Sequence, residues 1–109
     1  NRITQLVIEG EIARLLAVRI VYLQSSGKPM DHEASMSRVF GAELQQRVAQ
    51  AGLQITSGFG LLAEGAKYAP LAGFFQRQYL YAAAATVGAG TSEIQRNIIA
   101  QRGLGLPRI

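Results

Sequence analysis

The sequence predicts an all-α fold, a four-helix up-and-down bundle, on three observations. Apolar residues recur at helical spacing in four segments, glycine and proline interrupt the chain between them, and no segment has a convincing strand pattern. The chain has 109 residues, the size of one domain, and shows no internal repeat, low-complexity tract or long linker. We therefore expect a single domain over residues 1–109.

The first helix is predicted from Ile3 to Leu23, where apolar residues recur at helical spacing. Gly27, Lys28 and Pro29 break this pattern and end the helix. The apolar stripe consists of Ile3, Leu6, Val7, Ala13, Leu16, Ile20 and Leu23. This stripe is wide, so part of it would stay exposed in an isolated bundle, which suggests a missing partner surface.

The second helix is predicted to start at Asp31, whose carboxylate is suited to cap it, and to run through Ile55 to a glycine loop at 57–60. Its apolar stripe consists of Phe40, Leu44, Val48, Ala51 and Ile55. Because a short turn joins two long helices, we expect them to pack as an antiparallel hairpin.

The third helix is predicted to span about Leu71 to Thr86, because the periodicity weakens between Leu61 and Pro70 and resumes afterwards. Its anchors are Phe74, Phe75, Tyr79 and Leu80, which an alanine run follows. We place its end near Val87.

The fourth helix is entered through Gly90, a residue that permits a tight turn or a close approach to a ligand. The hydroxyl of Thr91 or Ser92 is suited to cap its first amides, and Ser92 with Gln95 fits a capping box. The apolar face consists of Ile94, Ile98 and Ile99, and the residues that stop the helix are Gly103 and Pro107. The closing segment is therefore predicted to be a short amphipathic helix.

Residue usage narrows the class of protein. The chain has no cysteine, which excludes disulfides and thiolate metal sites, and its single histidine, His32, argues against a histidine metal site or a Ser-His-Asp triad. We expect no metal. Neither a signal peptide nor an apolar run of membrane length is present, so we expect a cytoplasmic protein that does not insert into a membrane.

The charge of the chain favours a phosphate-bearing partner, because the net charge is +4 and nine of the eleven basic residues are arginines. The arginines are spread along the whole chain rather than clustered, and aromatic residues are not interleaved with them. This spacing is typical of solvated helix faces and interhelical ion pairs and does not favour nucleic-acid binding.

Three segments resemble the acyl-CoA dehydrogenases. The tail GTSEIQRNIIAQRGLGLPR (90–108) is similar to the closing helix of the family, and to actinobacterial steroid-degrading members in particular. The stretch RLLAVRIVYLQSSGKPMDHEASMSRVFGAE (14–43) resembles the family's helix pair joined at SGKP, and LQITSGFG (53–60) resembles its QIxGGxG loop. The resemblance covers nearly the whole chain, in the family's order and spacing.

The resemblance implies the C-terminal helical domain of a dehydrogenase subunit, without the first helix and flavin loop of that domain and without the N-terminal domains. The full-length protein would be an FAD-dependent enzyme that dehydrogenates the α and β carbons of acyl-CoA and passes electrons to an electron-transfer flavoprotein. It would form a homotetramer or a mixed tetramer of related subunits. The isolated chain is expected to be inactive.

The resemblance also implies roles for individual residues. The loop after the second helix would approach the flavin dinucleotide held by a neighbouring subunit, and Ser57 replaces a glycine of the usual pattern there. The backbone of Gly90 would lie beside the substrate thioester. The residues carried over as cofactor contacts are Gln54, Ser57, Gly58, Thr91 and Glu93.

The catalytic base is where the chain departs from the family pattern. Many members carry a glutamate immediately before GTS, whereas this chain has Ala89, preceded by Gly88. Neither side chain accepts a proton, and we take neither Glu64 nor Glu93 as a substitute, so no catalytic residue is assigned. Two alternatives stay open beside an upstream base: a non-catalytic partner subunit, and a DNA-binding member of the same fold.

Overall fold

The computed structural model describes residues 1–108, which are helical throughout apart from turns and loops. The four α-helices are α1 (Arg2–Ser25), α2 (Asp31–Ile55), α3 (Phe74–Ala85) and α4 (Ser92–Ile98). Two 3₁₀ segments, Ser57–Leu61 and Pro70–Gly73, lie between α2 and α3, and a π-helical turn, Ile99–Gly103, extends α4. The predicted all-α class with four helices is confirmed.

Helices α1 and α2 form the predicted antiparallel hairpin. The turn passes through Gly27, whose φ of +65° is favourable for glycine. Three contacts at increasing distance from the turn show the opposite chain directions: Arg19 with Glu33, Arg47 with Glu9, and Arg2 with Gln54. The hairpin is therefore held by polar contacts along its length as well as by its apolar seam.

The predicted cap of α2 is wrong by one residue. The N-terminal cap position is Met30, which makes no side-chain cap hydrogen bond, and Asp31 is the first helical residue. The Asp31 carboxylate instead lies 3.0 Å from the Arg102 guanidinium. Since a carboxylate in the first turn also interacts favourably with the helix dipole, this pairing gives Asp31 a stabilising role without capping.

The third helix begins three residues later than predicted. Pro70 starts a 3₁₀ turn in which Leu71 and Ala72 have left-handed backbone, with φ of +46° and +52°. Gly73 follows with φ +75°, and a Cβ there would come within 2.5 Å of the Glu64 amide nitrogen. Tight packing against residues 63 and 64 therefore bends the chain, and the regular helix begins only at Phe74.

Helix α2 is the axis of the bundle. Within residues 1–108, α1, α3 and α4 each pack on α2, and α1 packs on no other helix. Gly52 of α2 lies directly under the ring of Phe75, where a Cβ would collide with the ring.

Helices α3 and α4 both run antiparallel to α2. In each, residues later in the chain contact earlier residues of α2: Phe75 with Gly52 and Ala85 with Arg38 for α3, and Arg96 with Glu43 and Arg102 with Asp31 for α4 and its extension. Helices α3 and α4 therefore point in the same direction, and the predicted up-and-down alternation holds from α1 to α3 but not from α3 to α4.

The domain exposes more surface than its mass accounts for. Its accessible area is 7404 Å², whereas a folded monomer of 11.7 kDa has about 5,900 Å². Its radius of gyration is 16.8 Å, against about 13 Å for a compact domain of this length. On α1 the exposed apolar residues are Ile3, Val7, Ile8, Ile12, Leu15, Val18, Val21 and Tyr22. Of the predicted α1 stripe, Ile3 and Val7 are exposed as expected, and the other six exposed residues lie outside that stripe.

In the described part of the chain, no helix combines the length and the apolar character that crossing a bilayer requires.

Candidate functional site

The loop that joins α3 to α4, residues 86–91, is compact and contains unusual backbone. Ala89 and Gly90 have consecutive positive φ angles of +57° and +96°. The amide of Gly88 donates to the Ala84 carbonyl at 3.0 Å, and the amide of Ser92 donates to the Thr86 carbonyl at 3.1 Å. These bonds close the loop at both ends, so that the left-handed residues form its tip.

Thr91 rather than Ser92 caps α4. Its hydroxyl oxygen accepts from the Ile94 amide at 3.2 Å, and the predicted Ser92–Gln95 capping box does not form. Gln95 instead donates its amide Nε2 to the Ala89 carbonyl at 3.3 Å. A Cβ on Gly90 would lie 2.7 Å from the same Nε2, so a side chain there would displace Gln95, and the φ of +96° favours glycine.

Arg38 of α2 holds the other side of this loop. Its Nη2 donates to the carbonyl of Ala85 at 3.1 Å and to the carbonyl of Gly88. Carbonyls at a helix C-terminus carry partial negative charge and lack intrahelical partners, so a guanidinium there is favourable. No local sequence pattern predicts this contact, because the partners are 47 and 50 residues apart.

Of the predicted contacts of the final helix, Glu93 lines a groove of about 450 Å³ at the start of α4, and Thr91 is the cap residue just before that helix. The Thr91 hydroxyl accepts the capping bond with a lone pair and keeps its proton to donate elsewhere. Glu93 is exposed in the first turn of the helix. The groove is polar, and its lining includes Glu43, Arg47 and Arg96. It therefore offers hydrogen-bonding groups rather than an apolar pocket.

The predicted contacts after α2 lie on an open loop. Ser57 and Gly58 are exposed, and Ser57 has left-handed backbone with φ +51°. A Cβ on Gly58 would meet no atom within 4 Å, whereas one on Gly60 would collide with Thr56. The side-chain oxygen of Gln54 accepts from Arg2, and a shallow groove of about 290 Å³ lies beside Gln54 and Ser57.

The two sets of predicted site residues are not brought together. Arg38 lies beside the loop at 86–91 and Gln54 lies beside the loop at 57–61, and 16 residues of α2 correspond to about 24 Å of helix axis. The chain therefore presents two separate half-sites, one at each end of a stretch of α2.

Of the two carboxylates not taken as substitutes for the base, Glu93 lies in the first turn of α4. Glu64 is exposed and its carboxylate lies 2.9 Å from the Arg77 guanidinium, at the opposite end of α3. Among residues 1–108 no three histidine or carboxylate side chains are grouped as metal ligands would be. The groups that can contact a ligand here are the main chain of the loop at 86–91, the Thr91 hydroxyl and the Glu93 carboxylate at the start of α4.

The architecture defines a class of protein. The chain superposes on a solved structure described as the Tcur3481-Tcur3483 steroid ACAD with a TM-score of 0.94 over 99% of this chain and 28% of that one. At 23% identity this likeness shows the fold: a helical domain of the acyl-CoA dehydrogenase type. Residues 1–104 match the family model "Acyl-CoA dehydrogenase, C-terminal domain", and the chain therefore belongs to the acyl-CoA dehydrogenase family.

Other relatives agree with this assignment. Acyl-CoA dehydrogenase FadE26 of Mycobacterium tuberculosis is 31% identical over 103 residues, which cover 92% of this chain and 26% of that protein. A subunit in the crystal structure of the ChsE4-ChsE5 complex from Mycobacterium tuberculosis is 28% identical and superposes with a TM-score of 0.89, over 99% of this chain and 28% of that one. The chain thus spans about a quarter of the length of the curated relatives it matches.

Proposed function

We propose that this chain is the C-terminal helical domain of an FAD-dependent acyl-CoA dehydrogenase subunit that oxidises the α,β bond of an acyl-CoA thioester. In this proposal the domain contributes flavin contacts, part of the substrate site and a subunit interface. The observation that carries it is the family match over residues 1–104, which includes both half-sites.

The residues present fit a flavin dinucleotide in two places. The open space beside Gly58, where even a Cβ would meet nothing, leaves room for a dinucleotide held by a neighbouring subunit, with Gln54 and Ser57 as polar neighbours. At the other half-site, Thr91 and Glu93 would hold the flavin of the chain's own subunit, since Thr91 keeps a hydroxyl proton to donate. Bound there, FAD supplies the hydride acceptor for the reaction.

Gly90 is proposed to border the substrate thioester. Its φ of +96° favours glycine, so only backbone would face the acyl group. Because Ala89 cannot take a proton, the base that removes the α proton must come from another part of the protein. The domain would therefore position substrate and flavin without supplying the base.

The exposed apolar residues of α1 support a role in assembly. Val7 and Leu15 are more than half exposed, at 62% and 56%, on a helix that packs on α2 alone within the described residues. Such a face is costly to leave in water, and covering it by other parts of a larger assembly would remove that cost. We propose a homotetramer or a mixed tetramer of related subunits.

The first experiment tests the activity directly in the full-length subunit. We expect the purified protein to be yellow, to hold flavin after gel filtration, and to reduce electron-transfer flavoprotein when acyl-CoA is added. The isolated 109-residue chain should show none of these three properties. A full-length protein that bound no flavin, alone or with its partner subunit, would refute the proposed cofactor.

A second candidate is a non-catalytic partner subunit of a mixed tetramer. Ala89 favours it, as do two similar structures that are each named for two proteins, the Tcur3481-Tcur3483 steroid ACAD and the ChsE4-ChsE5 complex. The substitution Ala89→Glu separates the candidates. With an upstream base present, a second carboxylate nearby should lower the activity or shift its pH dependence, because two like charges disfavour joint ionisation. In a subunit that lost its base here, the same change should restore some activity.

The arrangement of the arginines weighs against a DNA-binding function. Six of the nine lie within ion-pair distance of carboxylates: Arg14, Arg19, Arg47, Arg77, Arg96 and Arg102. Binding a phosphate backbone requires a basic patch. In this chain the carboxylates beside these six arginines offset their positive charge instead.

A further inference from the structure

We propose that Arg38 is a positioning residue for this site: it fixes the loop at 86–91 through the Gly88 carbonyl. This inference rests on the proposed function, because it concerns how the substrate and flavin contacts at Gly90 and Thr91 are held. Arg38 itself touches neither in this proposal and acts through the backbone.

The contacts of Arg38 differ from those of the paired arginines. Within residues 1–108, no carboxylate lies within ion-pair distance of Arg38, and its partly buried Nη2 bonds two main-chain carbonyls instead. One carbonyl, of Ala85, ends α3, and the other, of Gly88, belongs to the loop. A charged donor strengthens both bonds, so Arg38 ties the end of α3 and the loop to α2.

The loop needs such a restraint because of its backbone. Ala89 follows Gly88 directly and adopts a left-handed conformation, which is unfavourable for a residue with a Cβ. The Gly88 carbonyl is held by Arg38 from α2, and the Ala89 carbonyl is held by Gln95 from α4. Two successive peptide planes are thus fixed from two helices, immediately before the backbone of Gly90.

This geometry gives Arg38 influence over the reaction without contact with the reactants. Gly88 is two residues from Gly90 and three from Thr91, so a rotation of its peptide plane displaces both. A displacement of about 1 Å in a substrate-positioning group is enough to lower a rate about a hundredfold.

The experiment compares three variants of the full-length flavin-loaded enzyme: Arg38→Met, Arg38→Lys and the control Arg77→Met. Arg77 is a matched control, since it also donates to a main-chain carbonyl, that of Ala72 at 3.2 Å, but at the other end of α3. We expect Arg38→Met to lower kcat about 10- to 100-fold, with KM and flavin content nearly unchanged. Arg38→Lys should recover part of kcat, because an ammonium also donates to carbonyls, and Arg77→Met should stay close to wild type.

Hydrogen exchange gives a second readout that does not depend on turnover. The amides of Gly88 and Ser92, which close the loop, should exchange about tenfold faster in Arg38→Met and unchanged in Arg77→Met. Should Arg38→Met fail to fold, Arg38→Lys serves for both readouts.

Unchanged exchange at these two amides would overturn the inference, as would an equal loss of kcat in Arg38→Met and Arg77→Met. A wild-type enzyme without dehydrogenase activity is a different result. It would end the proposed function and with it the catalytic part of the inference, while the exchange data would still decide whether Arg38 orders the loop.

Discussion

The two glycine loops of this domain contain similar backbone but are stabilised differently. Each has a non-glycine residue in left-handed conformation, Ala89 with φ +57° and Ser57 with φ +51°. Around Ala89, side chains from α2 and α4 bond the neighbouring carbonyls. Beside Ser57, Gly58 faces open space. The first loop is held by side chains of the same chain, whereas the second is open at Gly58.

The largest difference in stability between the two loops should come from Gly90→Ala, because L side chains rarely adopt the backbone conformation of Gly90. Its φ of +96° is unfavourable for alanine, and the new Cβ would lie 2.7 Å from the Gln95 amide. We expect a loss of about 1–3 kcal/mol in the free energy of unfolding, measured by urea denaturation. Gly58→Ala is the matched control and should be neutral or slightly stabilising. Equal losses of stability in both variants would show that the two loops do not differ in how well they tolerate a side chain.

The next effect concerns what the second loop faces. Gly58→Trp should leave the stability of the 109-residue chain almost unchanged, since no atom lies within 4 Å of the new Cβ. In the full-length protein the same substitution should weaken flavin retention about tenfold, or about 1.4 kcal/mol, and weaken assembly with it. Flavin absorbance and light scattering after gel filtration measure both. If neither flavin retention nor assembly changes, Gly58 has only a local structural role after α2.

A smaller effect should follow from relieving the left-handed residues. Ser57→Gly and Ala89→Gly should each stabilise the protein by about 0.5–1 kcal/mol, because glycine removes the strain but adds entropy to the unfolded chain. Hydrogen exchange should speed up around residue 57 only, since Arg38 and Gln95 still hold the loop around residue 89. Faster exchange in both loops would show that Arg38 and Gln95 do not hold the loop around residue 89 in its conformation.

The smallest effect lies in the hairpin, away from both loops. Hydrogen bonds from Gln5 and then from Arg47 lower the pKa of Glu9 from its ordinary value of 4.5. A lowered folded-state pKa means that this stabilisation is present above about pH 4.5 and is lost as the pH falls through the folded-state value. Glu9→Gln should therefore reduce the difference in melting temperature between about pH 7 and about pH 3. An unchanged difference would show that Glu9 does not contribute to acid sensitivity.

The sequence alone was enough for the parts of the structure that depend on local pattern. The periodic stripes predicted α1 and α2 almost to their ends, and Gly27 to Pro29 correctly marked the hairpin turn. The width of the α1 stripe predicted that part of it stays exposed, as Ile3 and Val7 are. The tail motif at 90–108 indicated the family that the match over residues 1–104 then showed. These features are encoded over a few helical turns or by a literal motif, so neighbouring residues suffice to predict them.

Tertiary structure decided the details of the candidate site. Thr91 and Ser92 are equally good caps by composition, and the backbone entering α4 places only the Thr91 hydroxyl on the Ile94 amide. Gln95 was assigned to a capping box and instead bonds the Ala89 carbonyl, because the left-handed loop brings that carbonyl within 3.3 Å. Arg38 reaches Gly88 across 50 residues, a contact that arises only when α3 packs against α2. Helix periodicity fixes which face of α2 is apolar, but which polar groups meet at its surface depends on how the other helices dock.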